Sequence, residues 1–325
     1  MGGLIAKKRA KKAHHRSSVG LAYDVVCIGR PSLDVVLKGD VFKPICSHGS
    51  CYEHIPLGSK LEVSEAATAF GGNALNAAVT FARQKLSVAL LAQIGMDSGS
   101  KDLLSLMDEE GIDDSVIYSS EEVRMGISTI ISAPSGERSV LAFPGSKVDY
   151  QELLARLEGL ETRWIYVSSL NSIELLEGII KFASLNQVKV AFNPGGIELN
   201  NIDSVKKILP DVEVLILNKQ EASKFFGALD SPHLARSGSE HSSICVVTDG
   251  PNGAYAFDGS VDYHQPISEN VKVVDRNGAG DAFASGLIAG LAWGMDLKAS
   301  LKLGSENSTS VVQQVGAQAG ILRRK

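Results

Sequence analysis

Short apolar runs recur along the chain, separated by stretches in which apolar positions return every three or four residues. The first pattern is that of a strand buried on both faces, the second that of a helix with one buried side. Asp24-Val-Val-Cys-Ile-Gly29 is the first such run and ends in a turn glycine. After a loop-rich stretch to about residue 65, Gly71 and Gly72 open an alanine-rich helical pattern through Arg83, and 87–94 follows as an apolar strand. A further helical pattern spans Ser98–Glu110.

The next segment changes period. Residues 116–119, 126–132 and 138–143 alternate apolar with polar, and Pro134-Ser-Gly-Glu137 supplies turn residues between the last two runs, which predicts a hairpin. From Tyr150 onward strand candidates at 164–168, 188–192, 214–217 and 243–248 alternate with helical patterns. Such alternation predicts crossover connections and a mostly parallel sheet covered on both faces. The tight turn Pro251-Asn-Gly253 places 254–257 and 261–264 as an antiparallel finish, and long helical patterns at 278–293 and 297–314 close the chain. In sheets of this kind ligands bind at the carboxyl ends of the strands, in the loops that lead into helices.

Composition narrows the function classes. The chain has 325 residues, 44% apolar and 21% charged, with a net charge of -5. That balance is ordinary for a globular protein and argues against a basic field for nucleic acid or membrane, so a small polar ligand is expected. The exception is Lys7, Lys8, Arg9, Lys11, Lys12 and Arg16 in a stretch without acids, read as a disordered basic tail over residues 1–22 or as a binding arm. Cys27, Cys46, Cys51 and Cys245 are too few for a disulfide framework, which predicts a reducing, cytoplasmic setting. No apolar stretch is long enough to predict a membrane span.

The strongest chemical signal is Asp275-Arg-Asn-Gly278-Ala279-Gly280-Asp281 at the mouth of a helical pattern. Small residues there let backbone N–H groups close on an anion, and an acid in the first turn could take a proton from an attacking hydroxyl. The same residues would equally serve tight helix–sheet packing with a favourable first-turn acid. Gly71-Gly72-Asn73-Ala-Leu-Asn76 reads alone as flexibility before a close-packed helix. Asn218 with Glu221 fits a capping box, Thr248-Asp-Gly250-Pro-Asn-Gly253 a hairpin turn, and Asp34 a turn cap.

Taken together, in this order and over nearly all of the chain after residue 22, these motifs resemble the ribokinase-like (PfkB) carbohydrate and nucleoside kinases. The resemblance implies a three-layer α/β/α kinase domain over 23–325, with a mostly parallel sheet and a small β-rich lid from segments near 35–65 and 116–146. It implies an ATP-dependent transfer of phosphate to a sugar hydroxyl, a primary one, with Asp281 as general base and Gly278, Ala279 and Gly280 as the anion hole. Asp34, Gly71, Gly72, Asn73 and Asn76 would hold the acceptor, and Asn218, Thr248, Gly250, Gly253 and Asn307 the nucleotide. Asn218 and Glu221 would help hold magnesium through water, while Asp275, Gly316 and Ala317 match the family's site for a monovalent cation such as potassium. Arg276 stands where the family has a small hydroxyl residue, and Ser32 where it has asparagine. Relatives pair through the lid, which implies a homodimer.

Two other readings stand beside the sugar kinase: a nucleoside kinase, using the same chemistry, and a catalytically silent nucleotide- or sugar-binding regulatory subunit. The intact Asp281 loop argues against the silent one and the basic tail for it. Side chains near Arg124, Thr129, Arg138 and Phe143 are expected to shape the acceptor pocket. Gly95-Met-Asp-Ser-Gly99-Ser-Lys101 is one residue short of a phosphate-binding loop and lacks its hydroxyl residue. Cys46, His48, Cys51 and His54 could supply sulfur and nitrogen to zinc, though their spacing matches no common module, and a lid loop is the competing reading.

Overall fold

The computed structural model describes residues 22–47, 50–134, 138–269 and 271–325. The basic tail therefore lies outside the described residues, as do His48 and the centre of the turn after Pro134.

Strand β1 (Ala22–Ile28) lies second from one edge of the main sheet, and the chain then leaves it for β2 (Ser32–Lys38). An exposed hairpin, β3 (Ile45–Ser47) and β4 (Ser50–Tyr52), precedes β5 (Glu65–Gly71), which pairs antiparallel with β2 and runs into α1 (Asn73–Arg83). Next come β6 (Val88–Leu91), β7 (Gln93–Ile94), α2 (Ser98–Glu110) and β8 (Tyr118–Ser119), and then the hairpin β9 (Gly126–Ser132) and β10 (Arg138–Phe143). The order β10-β9-β2-β5 makes a small second sheet, with β2 and β9 parallel.

Thereafter α3 (Tyr150–Glu158), β11 (Glu161–Ser168), α4 (Ile173–Asn186), β12 (Lys189–Asn193), α5 (Gly196–Asn200), α6 (Ile202–Ile208) and β13 (Val214–Asn218) return to the main sheet. It is finished by α7 (Lys219–Phe226), α8 (Ser231–Ser239), β14 (Ile244–Thr248), β15 (Ala254–Phe257) and β16 (Asp262–Gln265), followed by α9 (Ala279–Ala292) and α10 (Leu297–Val311). The main-sheet order is β16-β15-β14-β13-β12-β11-β1-β6, parallel except for β15 and β16. This is the expected three-layer α/β/α architecture. Its central strands are apolar runs because both faces are covered: α1, α2, α9 and α10 bury one face, α3, α4, α7 and α8 the other.

Strand β5 was not expected. Its sequence, Glu-Ala-Ala-Thr-Ala-Phe-Gly, is mostly exposed and carries alanine where strands favour branched side chains, so its pairing with β2 rather than its composition makes it a strand. A second difference concerns the cysteines. Cys46 and Cys51 face each other across β3 and β4, Cα atoms 4.0 Å apart, and form a disulfide, while Cys27 and Cys245 are free and buried. The disulfide removes both thiolates from the zinc reading, and no cluster of three metal-binding side chains exists among the described residues. Asp97, in the rejected phosphate loop, caps α2 through the amide of Ser100. Among the described residues no helix is long and apolar enough to cross a membrane.

The C-terminal segment is tied back onto α1. Arg83, in the last turn of α1, pairs with Glu110 at 2.6 Å and donates to the carbonyls of Gln318 and Ile321, both charged side chains being nearly buried. Without Arg83 the nearly buried Glu110 would keep only the exposed Arg323, at 3.1 Å, and would lose its more buried partner. We expect Arg83→Met to lower unfolding free energy by about 3 kcal/mol, whereas breaking the exposed Arg163–Asp24 pair with Arg163→Met should change it by under ~1 kcal/mol. Equal effects in urea denaturation would count against the anchoring role.

Candidate active site

Two cavities open on either side of the 275–281 loop. One, of about 300 Å³, is lined by Thr248, Gly250, Gly253, Arg276, Ala279 and Gly280, with Ser305, Ser308 and Thr309 of α10 on its far wall. The other, of about 490 Å³, is lined by Asp34, Phe70, Asp275, Asn277, Gly316 and Ala317 and roofed by side chains of the small sheet. The loop can thread between them because Gly278 has φ +74° and a Cβ there would overlap Ala317.

Asp281 sits in the first turn of α9, where Asn76 of α1 donates a hydrogen bond to its Oδ2 at 2.9 Å. Burial pushes its carboxyl up to about 6, the charge of Glu221 pushes the same way, and the Asn76 bond opposes both. Asp34 lies on β2. Its carboxyl is likewise raised by burial, against hydrogen bonds from Ser128 and Ser32, the latter at 3.3 Å. A Cβ on Gly71 would overlap this carboxylate, so glycine is what lets β5 pass so close. Gly72, at φ +99°, precedes α1, and Asn73 donates to Ser169 Oγ at 3.1 Å.

Asn218 and Glu221 form the capping box of α7, each backbone amide donating to the other's side chain at 2.9 Å. Burial raises the Glu221 carboxyl, with the Asn218 bonds opposing. The box does not exclude a role with metal. Glu221 is near enough for its charge to raise Asp281, and carboxylate oxygens so placed suit a hard cation that keeps its waters. Asp275 accepts from the amides of Asn277 at 2.9 Å and Gly316 at 3.0 Å, which draws the loop and the C-terminal segment together.

Asn307 does not line the smaller cavity. It is fully buried between α9 and α10, its amide donating to the carbonyl of Ala282 and accepting from the amide of Leu322. Helix periodicity is the reason: 305, 308, 309 and 312 share the face toward the cavity, and 307 falls on the other. Of the lid segment near Thr129, Ile130 and Ser132 line the larger cavity and Ser128 bonds Asp34, whereas Thr129 itself and Phe143 do not line it. Asp34 pairs with Ser128 and Val36 with Ile130, so the strand alternation that turns Asp34 to the cavity turns Thr129 away, and Phe143, opposite Ile127, with it. Arg124 binds the carbonyls of Glu121 and Val123 instead of lining the cavity, and the side chain of Arg138 lies outside the described residues.

Sequence reasoning missed two contributors, Glu198 and Gln318, and marked Arg276 only as a departure from the family pattern. Glu198, fully buried, accepts from the amides of Gly195 and Asn171 and so braces the loop carrying Ser169, whose φ is +51°. Gln318 donates to Asn76. Arg276 is the only charged residue lining the smaller cavity among the described residues, and its side chain makes no hydrogen bond or ion pair there. Only the first had a local signal, an acid three residues after a glycine turn.

A family model described as pfkB family carbohydrate kinase matches residues 43–324. The chain belongs to that family. It is 25% identical to a ribokinase of Schizosaccharomyces pombe over 92% of this chain and 94% of the relative, and 27% identical to a cytidine kinase of Thermococcus kodakarensis over 76% and 88%. Among solved structures it is similar to Arabidopsis thaliana ribokinase complexed with ribose and ATP, with a TM-score of 0.78 and 17% identity over 93% and 96% of the two chains. The nucleoside kinase of Methanocaldococcus jannaschii aligns with a TM-score of 0.77 and 20% identity over 92% and 94%. These likenesses carry the fold, and the pfkB match makes the chain a carbohydrate kinase of the ribokinase-like class.

The raised carboxyl of Asp281 has a consequence for stability. A group that holds its proton more tightly folded than unfolded favours folding at low pH, and that contribution is lost as pH rises from about 3.8 through about 6. We expect Asp281→Asn, which carries no charge to bury, to melt above the wild-type pfkB protein at pH 8. The gap should close toward pH 4, and a variant that melts below wild type at pH 8 would refute the assignment.

Proposed function

We propose that the protein transfers the γ-phosphoryl group of ATP to a primary hydroxyl of a sugar, with Asp281 as the general base. The observation that supports this reading best is a carboxylate held by Asn76, raised toward neutrality by burial, immediately behind the Gly278-Ala279-Gly280 turn, whose Ala279 and Gly280 line the smaller cavity.

In this reading the acceptor occupies the larger cavity, with hydroxyls donating to Asp34, and the glycines at 71 and 72 bring backbone close to it. The smaller cavity takes the nucleotide: Thr248, Gly250 and Gly253 approach the phosphates, and Ser305, Ser308 and Thr309 flank the base. Arg276, unpartnered, offers its guanidinium to the phosphate chain. Asp281 removes the hydroxyl proton as the oxygen attacks phosphorus, and the amides at the start of α9 stabilise charge on the transferring group. Asn218 and Glu221 would hold magnesium through water, and the cation would supply positive charge to offset that of the phosphates. Asp275, Gly316 and Ala317 would hold a monovalent cation that steadies the loop. The small sheet acts as a lid that excludes competing water, and two lids could pair subunits in a homodimer. A cytoplasmic setting, where ATP and sugars meet, goes with this reading.

A nucleoside acceptor is the second reading, favoured by one feature. Val36, Phe70, Ile130 and Val315 give the larger cavity an apolar wall that would suit a base better than a free sugar needs.

The deciding experiment is ATP consumption screened over pentoses, hexoses, sugar acids and nucleosides. Sugars should stimulate it, and Asp281→Asn should lose about 10² to 10⁴ in turnover while ATP binding persists. No stimulation by any acceptor, or a loss under about tenfold in the variant, would sink the reading. Asp34→Ala should weaken acceptor use far more than ATP affinity, because a buried hydroxyl left without its charged acceptor loses about 1 to 3 kcal/mol. An unchanged apparent acceptor affinity would remove Asp34 from the site.

A further inference from the structure

The C-terminal segment after α10 reaches Asp281 indirectly. Gln318 Nε2 donates to two acceptors, the backbone carbonyl of Phe70 at 3.0 Å and Asn76 Oδ1 at 2.9 Å, and Asn76 Nδ2 donates to Asp281 Oδ2 at 2.9 Å. The two ends of an amide have nearly the same shape, so which end faces which neighbour is decided by hydrogen-bond partners. A backbone carbonyl can only accept. The end of Gln318 against Phe70 is therefore its NH₂, the end of Asn76 against Gln318 must be oxygen, and what remains for Asp281 is the Asn76 NH₂. Asn76 is 4% exposed, so water is poorly placed to substitute for any member of the series.

We propose that Gln318 is a positioning residue that acts on phosphoryl transfer through Asn76, by fixing which end of that amide meets Asp281. The proposal rests on the reading of Asp281 as the base. Without Gln318, the Asn76 amide is free to turn its oxygen to the carboxylate, which penalises the ionised form needed to take a proton. No cation offsets this: the charged or titratable groups that act on Asp281 are Glu221 from α7, which opposes ionisation, and Tyr166 from β11, fully buried, whose own ionisation Asp281 opposes. The backbone around Gln318 has its own anchor, since Arg83 donates to the Gln318 carbonyl at 2.6 Å. Loss of the Gln318 side chain therefore leaves that attachment in place.

The test compares wild type with Gln318→Met and Gln318→Glu. Neither variant carries an NH₂ at that position, and Met also lacks a replacement charge. Turnover would be followed against pH with the best acceptor from the screen, and the Asp281 carboxyl would be titrated directly by carbon NMR in the resting protein. We expect the acidic limb and the carboxyl titration of Gln318→Met to move up together by about one unit from about 6, with little change in the KM for ATP. Gln318→Glu should move them in the same direction. Combined with Asn76→Leu, Gln318→Met should add nothing further, because the two act in series. An unmoved carboxyl titration, additive shifts in the double variant, or loss of folded protein in both single variants would each overturn the proposal. If the wild type phosphorylates no acceptor, the kinase reading fails separately, and the carboxyl titration still decides whether Gln318 governs Asp281.

Discussion

The hydrogen bond from Asn76 to Asp281 spans 205 positions of sequence, and much of the molecule is arranged around the need to hold a carboxylate where burial disfavours its charge. It joins α1, which follows the glycine pair, to α9, which follows the Gly278 turn. The same two helices are sewn together one turn further in, where Ser285 donates to Thr80 Oγ1 at 2.8 Å in a fully buried contact. Both helices are rich in alanine and glycine on these faces, so their backbones approach closely enough for short polar side chains to meet. A bulkier interface would separate the amide from the carboxylate.

That arrangement sets a tension between stability and chemistry. A carboxylate in water would be a weak base with no reason to hold a proton near neutral pH, whereas one buried with nothing but apolar neighbours would stay protonated. Asp281 lies between these limits because desolvation and Glu221 push in one direction and a single amide donor pushes in the other. Small changes in that donor therefore matter more than changes of similar size elsewhere. Asp34, on the wall of the larger cavity, repeats the pattern with serine hydroxyls in place of the amide.

Much of this was legible in the sequence because it depends on short-range rules. Apolar runs marked the main-sheet strands, glycine-rich turns marked the strand ends, and the order of those turns marked the family. What escaped depends on register or on helix face. Strand β5 has the composition of a loop and becomes a strand only beside β2. Thr129 and Ser128 differ by one position, yet the pleat sends one away from Asp34 and the other to it. Asn307 and Ser308 differ by one position on α10, and the helix puts one in the core and the other on the cavity wall. Cys46 and Cys51 read in sequence as candidate zinc ligands, and only the hairpin shows them opposite each other as a disulfide.

Arg276 shows how such a departure can leave the rest of a site intact. Replacing a small hydroxyl residue by a long cation inside a loop this tight would be disruptive if the side chain had to occupy the same space. Successive residues of the loop, however, face different cavities: Asp275 and Asn277 line the larger, Arg276 the smaller. The guanidinium can extend into the open cavity without displacing the Asp275 carboxylate from the amides of Asn277 and Gly316. The loop conformation is set by those two bonds and by the left-handed turn at Gly278, none of which involves the side chain at 276. Residue 276 is thus a place where charge facing the smaller cavity can change while the geometry of the Asp281 carboxylate behind it stays as it is.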